Sequence, residues 1–166
     1  VQIDFKSDAS IIALQGPNSM KNLSSLYDIK LEKFHLYQDE EVMIARTGYT
    51  GELGVEIISD ANKGLEIWNY FISKGIQPIG LAARDTLRLE AGFNLYGSDM
   101  TVENNPYDSN LEWTVDQSEQ DRDYIGKKAL KHLQDTKNRL VGFYTDARGV
   151  LRLSLIHISE PTRLDG

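Results

Sequence analysis

Two glycine-framed, charged segments hold the residues best suited to chemistry: Arg46-Thr-Gly-Tyr-Thr-Gly-Glu-Leu-Gly54 and Gly80-Leu-Ala-Ala-Arg-Asp-Thr-Leu-Arg-Leu-Glu-Ala-Gly92. The first puts a carboxylate, Glu52, in a turn. The second puts Arg84 and Arg88 one turn apart on one face of a predicted helix. A carboxylate offers two acceptor oxygens, which suits a flat heterocycle presenting an amino group beside a ring N–H. Glycines at 51 and 54 would remove side chains that block such a ligand. Arg84 and Arg88 repel one another if both are buried, so each needs an anion or a carbonyl, with Asp85 and Glu90 the local candidates. Tyr49 and Tyr96, each next to a glycine or one residue from it, could stack on a ring or donate an O–H. A solvent-exposed turn glutamate and a purely structural ion-pair network remain open alternatives for these carboxylates and arginines.

Other chemistries find no support. The chain has no cysteine, which removes disulfides, thiolate nucleophiles and thiolate-bound metals. His35 and His132 fall in separate predicted elements, so no metal-ligand spacing or Ser-His-Asp order is visible. The glycines lack the strand–GxGxxG–helix context, and there is no P-loop. A formal charge of −7 argues against nucleic acid, and the trio Lys127, Lys128 and Lys131 reads as a solvated helix face. No apolar run approaches the roughly eighteen residues a membrane-spanning helix needs.

The elements that must position these residues follow from periodicity. Ser10–Gln15 reads as a short buried strand stopped by Gly16-Pro17, and Asn18 is placed to cap a helix over 19–26. Phe34–Tyr37 and Val42–Ala45 read as strands around a polar turn, and Gly54–Ile58 as the strand leaving the first motif. Asp60 is expected to cap a helix running to Ser73, with Leu65, Trp68 and Ile72 as its core stripe and Lys74-Gly75 as its stop. A helix over Gly80–Ala91 comes next, then a loop over 92–106. A strand is expected at Leu111–Val115, a helix capped by Asp123 over Tyr124–Leu133, and a strand at Arg139–Tyr144. This order predicts an α+β fold, with a mixed or antiparallel sheet and packed helices.

With 166 residues, 40% hydrophobic and 26% charged, the chain reads as one ordinary globular domain or part of one. It starts at Val1 rather than Met, so it is expected to begin within a longer protein. Residues 153–163 match a translated transposon-type sequencing adapter, and 153–166 are set aside as an adapter-like, non-native tail, leaving 1–152 as the unit of interest. That tail carries Arg163 against Glu160 and Asp165, so the remainder is still acidic. His157 is set aside with it.

Ile12-Ala-Leu-Gln-Gly-Pro-Asn18, Thr47-Gly-Tyr-Thr-Gly-Glu52, the Gly80–Gly92 segment, Asn94-Leu-Tyr-Gly97 and Asp121-Arg-Asp-Tyr-Ile-Gly-Lys-Lys-Ala-Leu130 together resemble the T-protein (aminomethyltransferase) family of the glycine cleavage system. The resemblance runs from about residue 4 to Arg152. It implies transfer of a one-carbon unit: the aminomethyl group arrives on the dihydrolipoyl arm of the H-protein, ammonia leaves, and methylene-tetrahydrofolate forms. It also implies a folate-binding domain in which Glu52 bonds the pterin and Arg84 lines the same site, with Tyr49 and Tyr96 as further candidates. The family's essential aspartate lies in an upstream Asn/Gly-rich loop with no match here, so no residue of this chain is expected to be catalytic. The family's C-terminal barrel would follow Arg152. A cytoplasmic location is implied for a bacterial source and the mitochondrial matrix for a eukaryotic one.

Two related groups are the alternatives. Folate-binding iron–sulfur and tRNA-modification factors carry a cysteine where Gly48 stands, and N-methylglycine demethylases usually carry leucine in place of Arg84. A non-catalytic folate-binding or interaction domain is the third reading.

Overall fold

A computed structural model describes residues 2–3, 5–116, 118, 122–133, 138–142 and 146. Four strands form one antiparallel sheet: β1 (Ala9–Gln15), β2 (Leu36–Gln38), β3 (Val42–Ala45) and β4 (Gly54–Asp60), in the order β1-β4-β3-β2. Helices α1 (Ser19–Ser24) and α2 (Ala61–Ser73) cover one face, and α3 (Leu81–Glu90) and α4 (Lys127–His132) follow. The α+β expectation holds, with the sheet wholly antiparallel.

Alternation along the strands builds the core. Register pairs Leu14 with Val55 and Ile44 with Ile57, so these four apolar side chains point to one face. Leu23 of α1 and Ile67 and Phe71 of α2 close over them, and all seven are buried. The opposite face carries Ile11, Ala13, Met43, Ala45, Glu56 and Ile58, and Ile11 remains well exposed there.

Local signals set α2. The Asp60 carboxylate accepts from the Lys63 N–H at 2.9 Å, satisfying one of the free donors of the first turn. At the other end Gly75 takes φ +79°, its N–H reaches the Ile72 carbonyl, and the Ile76 N–H reaches the Phe71 carbonyl. This is a Schellman stop, with Ile76 packed back on the core. The rotation of α2 differs from expectation. Gly64, Ile67 and Phe71 are buried, whereas Leu65, Trp68 and Ile72 are 60%, 43% and 39% exposed. A Cβ on Gly64 would lie 2.0 Å from Ser10 Oγ, so the helix lies closest to the sheet along the glycine stripe.

Five other expectations need correction. Asn18 precedes α1 but makes no side-chain cap. β2 starts at Leu36 because Phe34 adopts φ +65°, outside the strand region. Leu111–Val115 is not a strand: no ladder among the described residues pairs with it, and Glu112–Thr114 coils into a 3₁₀ turn closed by the Thr114 N–H on the Leu111 carbonyl at 2.9 Å. The last helix begins only at Lys127 because Gly126 takes φ +93°. Residues 139–142 form no strand, although the Leu140 N–H reaches the Asp108 carbonyl at 2.8 Å. Phe143, Tyr144 and the 153–166 tail lie outside the described residues.

Candidate functional site

The turn between β3 and β4 is built around a side chain from a distant strand. Gln15 Nε2 donates to the carbonyls of Thr47 (3.2 Å) and Val55 (3.0 Å), and its Oε1 accepts from the Thr50 hydroxyl at 3.2 Å. Thr50, itself buried, accepts from the Glu52 N–H at 3.3 Å. Ser19 Oγ and the Gly16 N–H both reach the Leu53 carbonyl, at 2.9 and 2.7 Å. The loop is thereby fixed from β1 and α1.

This arrangement gives the glycines a different reason from the one expected. A Cβ on Gly48 would lie 2.1 Å from Gln15 Oε1, and one on Gly54 would lie 2.5 Å from both Gln15 Cδ and the Leu14 carbonyl. Gly51 adopts φ +76°, and its added Cβ would meet the Ala91 Cβ at 2.8 Å. The space these glycines leave is filled by protein, not kept for a ligand. Gln15 is the residue that sequence reasoning missed.

Glu52 lies exposed on this fixed turn. Its carboxylate makes no hydrogen bond or ion pair among the described residues. Rigid backbone with a free carboxylate is what a recognition group requires.

The two arginines of α3 divide into separate jobs. Arg88 is only 4% exposed. Its Nε donates to Asp85 Oδ1 at 2.8 Å, and its Nη1 donates to the Phe93 carbonyl at 3.0 Å and to the Asp99 carboxylate. Asp99 Oδ2 also accepts from the Leu95 N–H at 2.8 Å, so Arg88 ties the loop after α3 to the helix. Burial alone would lower its pKa, but the Asp85 and Asp99 carboxylates more than offset that and hold it above its ordinary value. Asp85 was the expected partner; Asp99 was not foreseen, and Glu90 takes no part.

Arg84 is half-exposed and loosely held. Its Nη2 is 4.0 Å from Glu56 Oε1, and its guanidinium carbon lies 5.4 Å from the centre of the Tyr49 ring. Tyr49 is itself fixed, stacked on Phe93 at 5.8 Å and 13°, with its hydroxyl donating to the Asn94 carbonyl. Asn94 Nδ2 donates in turn to the Ser109 carbonyl at 2.7 Å. Tyr96 is 63% exposed, and no hydrogen bond or ring contact joins it to Tyr49, Glu52 or Arg84.

The structure therefore joins the two charged motifs through Tyr49–Arg84 and Gly51–Ala91, and leaves Tyr96 apart from that junction. Among the described residues no group of His, Cys, Asp and Glu could hold a metal ion, and no helix is long and apolar enough to cross a membrane.

Comparison with known proteins bears on the family of the chain. Residues 1–119 match the family model of the GCVT N-terminal domain. Aminomethyltransferases from two strains of Xanthomonas oryzae pv. oryzae are each 41% identical, over 92% of this chain and 45% of their own length. The crystal structure of glycine cleavage system aminomethyltransferase T from Bartonella henselae superposes with a TM-score of 0.69 at 34% identity, over 76% of this chain and 37% of that one. The chain thus spans under half the length of the curated relatives it matches. With the matched segment carrying the sheet, α2, α3 and the joined motifs, the chain belongs to the GCVT N-terminal domain family.

Proposed function

We propose that this chain is part of an aminomethyltransferase of the glycine cleavage system. That enzyme takes the aminomethyl group from the lipoyl arm of the H-protein, releases ammonia and delivers the one-carbon unit to tetrahydrofolate. The observation that carries the reading is the junction of the two motifs: a free carboxylate on a rigid turn beside a half-exposed guanidinium on an adjoining helix. Both residues fit a folate. The two oxygens of Glu52 match the amino group and ring N–H of a pterin, and Arg84 supplies N–H donors for a carbonyl or carboxylate. Tetrahydrofolate, when bound, supplies the nitrogen that accepts the one-carbon unit.

In this reading the chain's own residues bind and orient. Gln15, Thr50 and Ser19 fix the turn that presents Glu52; Tyr49 carries Arg84; Arg88 secures the loop holding Phe93 and Asn94. Tyr96, remote from this cluster by its contacts, is the weakest member of the proposed site. No catalytic residue is assigned within this chain. Residues 1–152 are read as the folate-binding unit and 153–166 as foreign to it.

The test is ammonia release by the full-length protein supplied with aminomethyl-loaded H-protein and tetrahydrofolate. Turnover that needs both supports the proposal. Folate binding without ammonia release, or demethylation of N-methylglycine instead, contradicts it. An intact Arg84 and the absence of cysteine favour the aminomethyltransferase over its relatives.

A further inference from the structure

On the outer face of the sheet the charged side chain of Glu56 sits among Ile11, Ile58, Met43 and two alanines. Its register neighbours on both sides are small, Ala13 on β1 and Ala45 on β3, which leaves its side chain room. A carboxylate on an apolar face is unfavourable unless it has partners. Glu56 has two of different strength. Oε2 accepts from the Thr47 hydroxyl at 2.7 Å, which fixes the rotamer. Oε1 then faces Arg84 Nη2 at 4.0 Å, the outer limit of an ion pair.

The looseness of this second contact is informative. Arg88, four residues on, is gripped by short bonds and buried, as a structural ion pair should be. The Arg84–Glu56 pair is open, with side chains 37% and 27% exposed. Such a pair contributes little to stability. It does restrict a long, flexible side chain while leaving its planar fork of donors free.

We propose that Glu56, set by Thr47, is a positioning residue for Arg84, holding the guanidinium over the Tyr49 ring so that it meets an anionic or carbonyl group of the ligand already oriented. This rests on the folate reading above. Arg84 binds; Glu56 and Thr47 act through it, and the rotamer freedom of Arg84 is lost before the ligand arrives.

The experiment is a tetrahydrofolate titration of the full-length protein and its variants Arg84→Leu, Glu56→Gln, the double variant, Thr47→Val and Thr47→Ser. Glu56→Gln keeps the shape and removes the charge; it is expected to weaken binding about three- to fivefold with an unchanged melting temperature. Thr47→Val should match it, and Thr47→Ser, which keeps the hydroxyl, should bind as the parent does. The double variant should bind no more weakly than Arg84→Leu alone, because Glu56 has nothing left to position. Unchanged or tighter binding by Glu56→Gln, or losses that add in the double variant, would overturn the proposal while leaving the folate site intact. Arg84→Leu binding as the parent does would overturn the role of Arg84 itself, and the positioning role with it.

Discussion

The guanidinium of Arg84 lies 5.4 Å from the centre of the Tyr49 ring, joining residues from a β-turn and a helix across 35 positions of sequence. Its neighbour one turn along, Arg88, points into a different network altogether. The two arginines share a sequence motif and a helix, yet they answer to different demands.

That division predicts opposite phenotypes. Arg88→Ala removes the guanidinium that Asp85, Asp99 and the Phe93 carbonyl share and should cost about 2–4 kcal/mol of stability. Arg84→Ala, at a half-exposed loose pair, should cost less than about 1 kcal/mol while weakening ligand binding. Chemical denaturation of both full-length variants checks this, and equal destabilisation would contradict the division.

Gln15→Ala should loosen the turn from a distance. It removes bonds to the Thr47 and Val55 carbonyls and the Thr50 hydroxyl, together worth about 1–3 kcal/mol. Folate affinity should fall as well, although Gln15 is assigned no contact with the ligand. A variant with parental stability and affinity would show that the turn holds its shape without this side chain.

Gly51→Ala meets two obstacles, a left-handed backbone and the Ala91 methyl. The backbone alone should cost about 1–2 kcal/mol, and the clash adds to it. Adding Ala91→Gly should recover the clash but not the backbone contribution, so partial rescue in a melting experiment is the expected outcome.

Acid should loosen the hairpin between β2 and β3. Backbone N–H groups of Val42 and then Glu41, followed by the Tyr37 hydroxyl, hold the Asp39 carboxyl below its ordinary range. A depressed folded-state pKa means its stabilisation is present above the unfolded value of about 3.9 and is lost as pH falls through the lower folded one. Amide exchange in residues 36–45 should therefore rise in that acid window, and Asp39→Asn should flatten the dependence.

Local chemistry made part of this fold legible. Asp60 and Gly75 announce both ends of α2 because capping and left-handed stops depend on adjacent residues. The helix's rotation was not legible, since 64/67/71 and 65/68/72 have equal helical spacing. A contact between Gly64 and Ser10, far apart in sequence, decides between them. Leu111–Val115 has strand-like residues, but no strand among the described residues pairs with it. At the site, Glu52 and Arg84 stood out by charge and glycine framing. Gln15 and Asp99 did not, because ordinary polar residues acquire their meaning only from partners that folding brings near.

The central claim is that Glu52, free on its rigid turn, recognises the pterin of tetrahydrofolate. Its most direct test is tetrahydrofolate binding by the full-length protein against its Glu52→Ala and Glu52→Gln variants, measured by calorimetry alongside melting curves. Both variants should fold as the parent does. Glu52→Ala should lose affinity by about five- to 150-fold, from pterin donors left unpaired at about 1–3 kcal/mol. The smaller loss should belong to Glu52→Gln, which keeps one acceptor. Parental affinity in Glu52→Ala would show that this carboxylate does not recognise the pterin.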